Sequence, residues 1–382
     1  MPGKFLFADA PRRVYWEVTR ACDLACQHCR AEAAPNADPR QLDTKAGLKL
    51  INQLAECTPR PHLILTGGDP LKRADLFELI AAARARGLAV SVSPSATPLL
   101  TTEAVDELVV AGVDAISLSL DGATAETHDA IRGVPGCFER TLHAGKRARE
   151  VGLAFQVNTL VSAETIGEIP RIEPLVRAMG ATRWSMFFLV NVGRGTVLNP
   201  ISPVESEELL GWLAERAKVP GLVITTTEAP HFRRVALAHR DSAAATSNGH
   251  APNGHAPNGH APNGPAPNGH GAGMRDGNGV MFIAHDGEVS PSGFLPLSAG
   301  NVKMENPIRI YREAPLFVGL RDVDNFHGRC GRCEFRQVCG GSRARAYVAS
   351  GDPFGEDPLC PYEPRTPARA AEPKAAAPAI AT

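Results

Sequence analysis

Three cysteines lie close together near the start of the chain, in the segment TRACDLACQHCR, with the spacing Cys22-x3-Cys26-x2-Cys29. Thiolate sulfur is the preferred protein ligand of iron–sulfur clusters, so three thiolates at this spacing could hold one cluster. A cluster of four irons would then keep one iron without a protein ligand, open to a small chelating molecule. A zinc site completed by His28 is the alternative interpretation.

Four further cysteines lie near the C-terminus with the spacing Cys330-x2-Cys333-x5-Cys339-x20-Cys360. Four thiolates can fully ligate one metal centre, so the spacing is compatible with both structural zinc and a 4Fe–4S cluster. Complete ligation would leave no open iron. This favours an electron-transfer or structural role for the second centre.

The composition limits the class of protein. The 382 residues include 40 Lys+Arg and 41 Asp+Glu, and a net charge of -1 argues against a nucleic-acid binder. The sequence lacks a membrane-spanning apolar run and a signal-peptide pattern, so we predict a cytoplasmic protein. Disulfides are rare in that compartment, so clustered cysteines indicate metal or redox sites. Cys57 and Cys137 stand alone and are interpreted as small buried hydrophobic residues.

Short apolar strands alternate with helical segments between residues 14 and 241. The predicted strands are residues 14–18, 62–66, 88–93, 114–120, 154–161 and 183–190. The predicted helices are residues 44–56, 74–86, 102–111, 138–151, 168–179 and 203–218. Repeated strand–helix units give a parallel sheet, and eight units would close a barrel. Six units therefore predict an α/β fold, a partial (βα)6 barrel of parallel strands, followed by a small cysteine-rich module.

Three of the predicted strands carry polar side chains on one face. Every second residue of a strand shares a face, and the polar positions are Ser91, Ser93, Ser95, Ser117, Ser119, Asp121, Gln156 and Asn158. Strands of a helix-covered parallel sheet are usually apolar on both faces. We therefore expect a polar, ligand-holding lumen inside the barrel.

Two segments have a composition that does not support a packed core. Residues 242–274 contain an imperfect NGHAP repeat and are predicted to be a flexible linker or insertion. Residues 364–382 are rich in Ala and Pro and are predicted to be a disordered tail. The remaining units are an N-terminal segment (1–13), the barrel (14–241) and a C-terminal module (275–363).

The first cysteine cluster resembles the signature of the radical S-adenosylmethionine (SAM) superfamily, C-x3-C-x2-C on the loop after the first strand of a partial barrel. The resemblance implies that the amino and carboxylate groups of SAM chelate the open iron of a 4Fe–4S cluster. Reductive cleavage of SAM then gives a 5′-deoxyadenosyl radical, which abstracts a hydrogen from the substrate. A reductant such as flavodoxin or ferredoxin is also implied.

Further motifs stand in the order that this superfamily shows. A GGDP turn follows the second strand, where the family has a GGEP-like element whose backbone meets the methionine amino group. The end of the fourth strand is where ribose hydroxyls are bound, and the fifth strand and residues 191–195 (NVGRG) stand where adenine and the methionine carboxylate are contacted. The implied SAM contacts are Gly67, Gly68, Asp69, Pro70, Ser119, Asp121 and Asn158. Arg132 is either a helix-surface residue or a substrate or cofactor contact.

The second cysteine cluster resembles the SPASM/twitch extension of the same superfamily, which binds an auxiliary cluster near the substrate. The full SPASM form has more cysteines and two auxiliary clusters. One of its cysteines follows a hairpin where this chain reads SPSGF, with Ser290 and Ser292. Four cysteines after the linker imply one auxiliary 4Fe–4S cluster, as in the shorter twitch arrangement.

The stretches GFLPLSAGNV and CGGSRARAY resemble the haem-biosynthesis branch, including the haem d1 and alternative haem routes. Members of this branch act on propionate side chains of iron porphyrins, and the resemblance implies hydrogen abstraction from a propionate followed by loss of carbon dioxide. Arginines would bind such an anionic substrate, and Arg343 and Arg345 are candidates. The alternative is that they bind carboxylates of their own module, Asp352 or Asp357.

Two other functions are compatible with these motifs. One is a peptide-modifying SPASM maturase, although only about thirteen residues precede the first strand, fewer than a leader-binding domain needs. The other is a non-catalytic iron–sulfur or zinc scaffold. The GGDP and SLSLDG motifs argue against a scaffold, because a simple carrier has no use for a nucleoside pocket.

Overall fold

A computed structural model describes residues 7–247 and 273–365 of the chain. The ten strands within these residues are β1 (Arg13–Thr19), β2 (His62–Gly67), β3 (Ala89–Val92), β4 (Ala115–Ser119), β5 (Ala154–Val161), β6 (Arg183–Phe188), β7 (Val223–Thr227), β8 (Val280–Ile283), β9 (Glu288–Ser290) and β10 (Gly300–Asn301). They form one sheet in the order β10-β9-β8-β1-β2-β3-β4-β5-β6-β7. Strands β8 and β1 to β7 pair in parallel, whereas β9 pairs antiparallel with β8 and β10.

Helices connect the parallel strands and surround the C-terminal cysteines. Those of the described residues are α1 (Thr44–Ala55), α2 (Leu76–Ala85), α3 (Thr102–Val110), α4 (Ala125–Arg132), α5 (Cys137–Glu150), α6 (Ile169–Met179), α7 (Pro203–Arg216), α8 (Phe232–Ser247), α9 (Pro307–Glu313), α10 (Pro315–Arg321), α11 (Gly328–Arg332) and α12 (Arg343–Ser350). Side chains cap the N-termini of several of these helices. Asp43 accepts from Ala46 N at α1, and Ser202 and Glu205 form a capping box at α7.

The α/β class and all six predicted strands are confirmed, and the sheet has two parallel strands more. Strand β7 continues the series beyond β6. Strand β8 comes from the C-terminal module and pairs with β1, with Arg13 beside Val280. The module therefore shares its sheet with the barrel, and the two are built as one body.

The two faces of β1 show how the sheet separates core from lumen. Val14, Trp16 and Val18 are fully buried on the outer face, in the core that packs against the helices. Arg13 and Tyr15 alternate with them and line the inside of the sheet. Burial of the outer apolar face holds the helices to the sheet, because removing apolar surface from water is the main stabilising term of folding.

Only part of the predicted linker and part of the predicted tail lie within the described residues. Helix α8 extends to Ser247, six residues into the segment predicted as linker. Residues 248–272 of that predicted segment and residues 366–382 of the predicted tail lie outside the described residues. No helix of the described part is long and apolar enough to cross a bilayer.

Candidate functional site

A cavity of about 640 Å³ lies inside the sheet. The cysteines of the loop after β1 (the three-cysteine loop, Cys22, Cys26 and Cys29) line it together with residues from most of the parallel strands. All the polar strand positions that predicted a ligand-holding lumen also line it: Ser91, Ser93, Ser95, Ser117, Ser119, Asp121, Gln156 and Asn158. The alternation of side chains along these strands thus produces a polar lumen with the three thiols at one end.

The three-cysteine loop is held by its own backbone. Cys22 and Cys26 are buried, and Cys29 is half-buried. The N–H of Leu24 donates to Cys22 Sγ at 3.4 Å, and the N–H of Ala33 donates to Cys29 Sγ at 3.5 Å. Donors of this kind stabilise thiolates, which are the form that binds metal.

Burial keeps the thiols of Cys22 and Cys26 protonated when no metal is bound. It raises the pKa of Cys22 to about 11 and also raises the pKa of Cys26, against the effect of Arg132. Metal binding must therefore release protons, and the affinity will fall at low pH. No three Cys, His or carboxylate side chains of the described residues converge on one metal ion. The three thiols on one loop are the ligand type that iron–sulfur clusters prefer.

Arg132 connects the loop to the end of β4. Its guanidinium lies 3.8 Å from Cys26 Sγ and 2.5 Å from Asp121 Oδ2. Asp121 Oδ1 accepts from the N–H of Leu160 at 2.7 Å. Although burial acts to raise the pKa of Asp121, the charge of Arg132 and the hydrogen bond from Leu160 N–H lower it below its ordinary value. Arg132 is thus an interior residue beside the cluster site, and Asp121 is ionised and already paired with it.

The glycines of the GGDP turn allow it to lie against the three-cysteine loop. Gly68 N–H donates to Thr19 O at 2.8 Å, and Asp69 N–H donates to Ala21 O at 2.7 Å. A Cβ at Gly67 would lie 2.3 Å from Thr19 O, and one at Gly68 would lie 2.4 Å from Ala21 O. Any side chain here would separate the turn from the loop. Gly67 and Gly68 both line the cavity.

Asp69 and Pro70 are placed differently from the two glycines. The Asp69 carboxylate accepts from Thr97 Oγ1 at 2.7 Å and from the N–H of Leu71 at 3.2 Å, and it is buried. Pro70 begins the following 3-10 turn. Neither residue lines the cavity. The structure therefore gives both a role in shaping the turn, while Ser119 and Asn158 face the lumen as expected.

The turn after β6 clamps the same loop from the other side. Arg194 donates from Nε to Cys26 O and from Nη1 to Ala33 O, both at 3.0 Å, and its N–H donates to Cys29 O at 3.0 Å. A Cβ at Gly193 would lie 2.6 Å from Arg30 O. The turn NVGRG thus contacts the carbonyls of the cysteine loop directly.

Two histidines, His28 and His128, lie beside Asp121, and the sequence did not predict that they would lie together. His128 Nδ1 accepts from Asp121 N–H at 3.0 Å, so its proton lies on Nε2. His28 Nδ1 is buried with no hydrogen-bond partner among the described residues. Burial, with Arg132 nearby, lowers the pKa of each to about 4, so both are neutral at pH 7. The HDAIRG stretch, with His128 four residues before Arg132, was the available sequence signal.

The four C-terminal cysteines surround a small separate pocket. Asp357 N–H and Arg343 Nη2 donate to Cys330 Sγ at 3.4 and 3.5 Å, and Gly341 N–H donates to Cys339 Sγ at 3.4 Å. Burial raises the pKa of Cys360 to about 11 and raises that of Cys339 further. The pocket brings together all four predicted ligands, Cys330, Cys333, Cys339 and Cys360.

The structure contradicts a substrate role for Arg343 and Arg345. Arg343 is fully buried, and its Nη1 donates to Pro353 O at 3.1 Å and to Gly355 O at 2.6 Å. Arg345 forms an ion pair with Asp357 at 3.1 Å. Neither arginine lines the cavity. The alternative interpretation, in which Arg345 binds a carboxylate of its own module, is correct for Asp357.

A carboxyl pair joins the end of β7 to the C-terminal module. Glu228 Oε1 accepts from Ser292 Oγ at 3.1 Å, and Glu228 also accepts from Ser342 Oγ. Asp276 Oδ2 accepts from the N–H of Ala344 at 3.1 Å. Burial, and then Asp276, raise the pKa of Glu228 to about 8, and burial also raises the pKa of Asp276. Glu228 is therefore protonated at neutral pH and adds no negative charge to the cavity that both carboxyls line.

An ion-pair chain joins the module to the three-cysteine loop. Arg30, next to Cys29, pairs with Glu17 at 3.0 Å, and His285 Nδ1 lies 3.0 Å from the other oxygen of Glu17. His285 Nε2 lies 3.2 Å from Asp38. Burial acts against the imidazolium, but the two carboxylates raise the pKa of His285 above its ordinary value. The chain holds β8 and the cysteine loop in one arrangement.

Comparison with known proteins places this site in a family. The model of the radical SAM superfamily matches residues 16–173. The AdoMet-dependent heme synthase of Nitratidesulfovibrio vulgaris is 38% identical over 362 residues, 93% of this chain and 94% of the relative. The chain belongs to the radical SAM superfamily and is an enzyme of that class, which uses a 4Fe–4S cluster, SAM, a reductant and a substrate.

A second relative supports the same family, and a solved structure shares the fold. The AdoMet-dependent heme synthase of Methanosarcina barkeri is 38% identical over 359 residues, 93% of this chain and 98% of the relative. The crystal structure of Streptococcus suis SuiB bound to S-adenosylmethionine superposes with a TM-score of 0.66. It has 16% identity and covers 93% of this chain and 78% of SuiB, and it supports the fold alone.

Proposed function

We propose that this enzyme removes carbon dioxide from propionate side chains of an iron porphyrin, as in a late step of haem synthesis. The observation that carries the proposal is the charge of the cavity. Seven arginines of the described residues line it: Arg13, Arg30, Arg132, Arg183, Arg194, Arg233 and Arg275. Only three acids line it, of which Asp121 is paired and Glu228 is protonated. SAM is itself cationic overall, so this excess of positive charge favours a polyanionic substrate.

The relatives support the same substrate class. Two proteins named AdoMet-dependent heme synthase align over more than nine-tenths of this chain. The arginine-rich lumen of this chain favours a polyanionic porphyrin over an uncharged peptide backbone. We therefore place the peptide-modifying function second.

When bound, the cluster on the three-cysteine loop supplies the electron that cleaves SAM to methionine and a 5′-deoxyadenosyl radical. A hydrogen atom moves from the propionate carbon next to the ring to that radical, giving 5′-deoxyadenosine. The bond between the neighbouring carbon and the carboxylate then breaks, one electron leaves, and the products are carbon dioxide and a vinyl group. The four-cysteine centre would supply an acceptor for that electron.

The residue roles in this scheme belong to the proposal. Cys22, Cys26 and Cys29 ligate the SAM-binding cluster, and Gly67, Gly68, Ser119 and Asn158 contact SAM, with Asp69, Pro70 and Asp121 positioning their neighbours. Cys330, Cys333, Cys339 and Cys360 ligate an auxiliary 4Fe–4S cluster. The reductant is a flavodoxin or ferredoxin, and the compartment is the cytoplasm. The domain boundaries are those predicted from the sequence, except that α8 continues to Ser247.

The test is an anaerobic assay of the reconstituted protein with SAM, dithionite and iron-coproporphyrin III. We expect 5′-deoxyadenosine together with a porphyrin product that has lost the mass of carbon dioxide. Formation of 5′-deoxyadenosine with an unchanged porphyrin would refute the substrate and direct the search to peptides. No cleavage of SAM in a protein that carries its clusters would favour the non-catalytic scaffold.

A further inference from the structure

The C-terminal end of α4 is docked onto the three-cysteine loop through backbone contacts. The N–H of Ala25 donates to Arg132 O at 3.2 Å. The N–H of Gln27 donates to Ile131 O at 2.9 Å. The next residue of the chain is Gly133, where a Cβ would lie 2.7 Å from Ala25 O. The backbone of Arg132 is therefore fixed against the loop that carries the three thiols.

The guanidinium of Arg132 contacts a thiol of that loop with one nitrogen and a carboxylate with another. Its Nη1 lies 3.8 Å from Cys26 Sγ, and its Nη2 lies 2.5 Å from Asp121 Oδ2. Only 12% of the Arg132 side chain and 2% of the Asp121 side chain are exposed. The N–H of Leu160 donates to the other carboxylate oxygen at 2.7 Å. The carboxylate is thus fixed as well, and water screens the charges of the pair only weakly.

Arg132 differs in charge from the other groups that hydrogen-bond to the three thiols. Within residues 7–247 and 273–365, those other partners are the hydroxyl of Ser95 and the N–H groups of Leu24 and Ala33, all uncharged. Arg194 also binds this loop, but its guanidinium donates to backbone carbonyls. A full positive charge therefore contacts one cysteine sulfur of the loop, and it comes from Arg132.

A charge in this position affects the uptake of an electron. The reduction potential of an iron–sulfur cluster depends on the charge around it, on hydrogen bonds to its sulfurs and on its exposure to solvent. Guanidinium is not deprotonated in proteins, so the charge of Arg132 is permanent. Reduction adds one negative charge. A cation beside a ligand sulfur therefore favours the reduced state, and a carboxylate nearby disfavours it.

We propose that Arg132 raises the reduction potential of the cluster held by the three-cysteine loop and that Asp121 limits this effect. This inference rests on the proposed function, in which that loop carries a 4Fe–4S cluster. It gives the ion pair a role when a low-potential donor is oxidised by one electron and the cluster is reduced by one. That step precedes the cleavage of SAM and does not involve the substrate.

The test is a potentiometric titration of the reconstituted full chain without SAM, followed by electron paramagnetic resonance. The cluster of the three-cysteine loop is identified by the signal that is missing in Cys26→Ala. At a fixed potential, we expect Arg132→Gln to lower the ratio of reduced to oxidised cluster about tenfold, which is about 59 mV for a one-electron couple. Arg132→Lys should recover most of the loss, because it keeps the charge. Asp121→Asn should raise the ratio.

Two controls separate an effect of charge from a general disturbance. The signal of the four-cysteine centre is the internal control, and its potential should be the same in all these variants. The matched variant is Arg147→Gln, which removes an arginine paired with Asp106 at 2.7 Å outside the cavity lining. It should leave both potentials unchanged.

An unchanged potential in Arg132→Gln, or shifts of the same sign in Arg132→Gln and Asp121→Asn, would overturn the inference while the proposed function stands. If Arg132→Gln does not retain its cluster, the sign of the shift in Asp121→Asn decides. A rise supports the inference, and a fall or no change overturns it. If Cys26→Ala retains every signal of the wild-type protein, the cluster assignment fails, and the inference fails with it.

Discussion

The three-cysteine loop and the four-cysteine pocket use the same ligand atom in different surroundings. The loop opens onto a cavity of about 640 Å³ that is lined by strand residues and by two glycines of a backbone turn. The C-terminal pocket is small, and its walls are the four cysteines and a few arginine and aromatic side chains. A missing fourth ligand beside a large cavity favours chemistry on a bound molecule. Four potential ligands around a small pocket favour storage or transfer of an electron.

The largest effect should come from removing a ligand of the open site. We expect Cys26→Ala to reduce 5′-deoxyadenosine formation by more than about 100-fold, because two thiolates do not retain the cluster. The product is measured by chromatography after anaerobic reaction with dithionite. Cys57→Ala, a change at a buried cysteine away from both centres, is the control. Equal activity of the two variants would show that the loop does not hold the catalytic cluster.

Removing a cysteine of the four-cysteine pocket should show that the two centres have different roles. We expect Cys333→Ala to keep most of its SAM cleavage but to lose about 10-fold or more in porphyrin product per 5′-deoxyadenosine. The reason is that the electron leaving the substrate would lack its acceptor. The ratio of the two products is the measurement. A proportional fall of both would mean that the C-terminal centre serves folding and not the substrate step.

A substitution in the GGDP turn should weaken the binding of SAM more than the binding of the substrate. Gly68→Ala places a Cβ 2.4 Å from Ala21 O, so the turn must move away from the loop. We expect the KM for SAM to rise about 10-fold, within the range for loss of a supporting contact. At Gly167, a Cβ would meet nothing within 4 Å, and Gly167→Ala should behave as wild type. An unchanged KM in Gly68→Ala would contradict the role of the GGDP turn.

The smallest effect concerns the ion-pair chain between the two regions. The pKa of His285 is raised in the fold, so its contribution to stability is complete below the ordinary value of 6.5 and is lost as pH rises through the higher folded value. We expect His285→Gln to lower the free energy of unfolding by about 1–2 kcal/mol near pH 6 and by less near pH 9. Thermal unfolding at both pH values measures this.

An exposed pair provides the control for that experiment. His327 lies against Asp352 at the surface, so His327→Gln should change stability little at either pH. A loss for His285→Gln that is the same at both pH values would mean that the residue contributes packing and not charge.

Local sequence patterns predicted six parallel strands of the sheet but not the two others, β7 and β8. The six strands with clear apolar runs were found from periodicity, because each buries one face against helices. Strand β7 reads VITTT and has too few apolar residues for that signal. The pairing of β8 with β1 joins residues more than 260 positions apart, and no local pattern encodes such a contact.

The site was predictable where its chemistry depends on residue type and spacing. The cysteines and the GGDP turn stood out in the sequence, and the polar strand faces predicted the lumen that the cavity shows. The arginines were not predictable in this way. Arg343 and Arg345 lie next to a cysteine motif, yet they are buried in their own module. Arg13 belongs to no motif in the sequence, yet it lines the lumen.

The most direct test of the contrast between the two centres is electron paramagnetic resonance of the reduced protein with and without SAM. Cys333→Ala retains the three-cysteine loop, and its cluster signal should change when SAM is added. Cys26→Ala retains the four-cysteine centre, and its signal should be the same with and without SAM. A SAM-dependent change in Cys26→Ala, or none in Cys333→Ala, would contradict the assignment of the open iron to the three-cysteine loop.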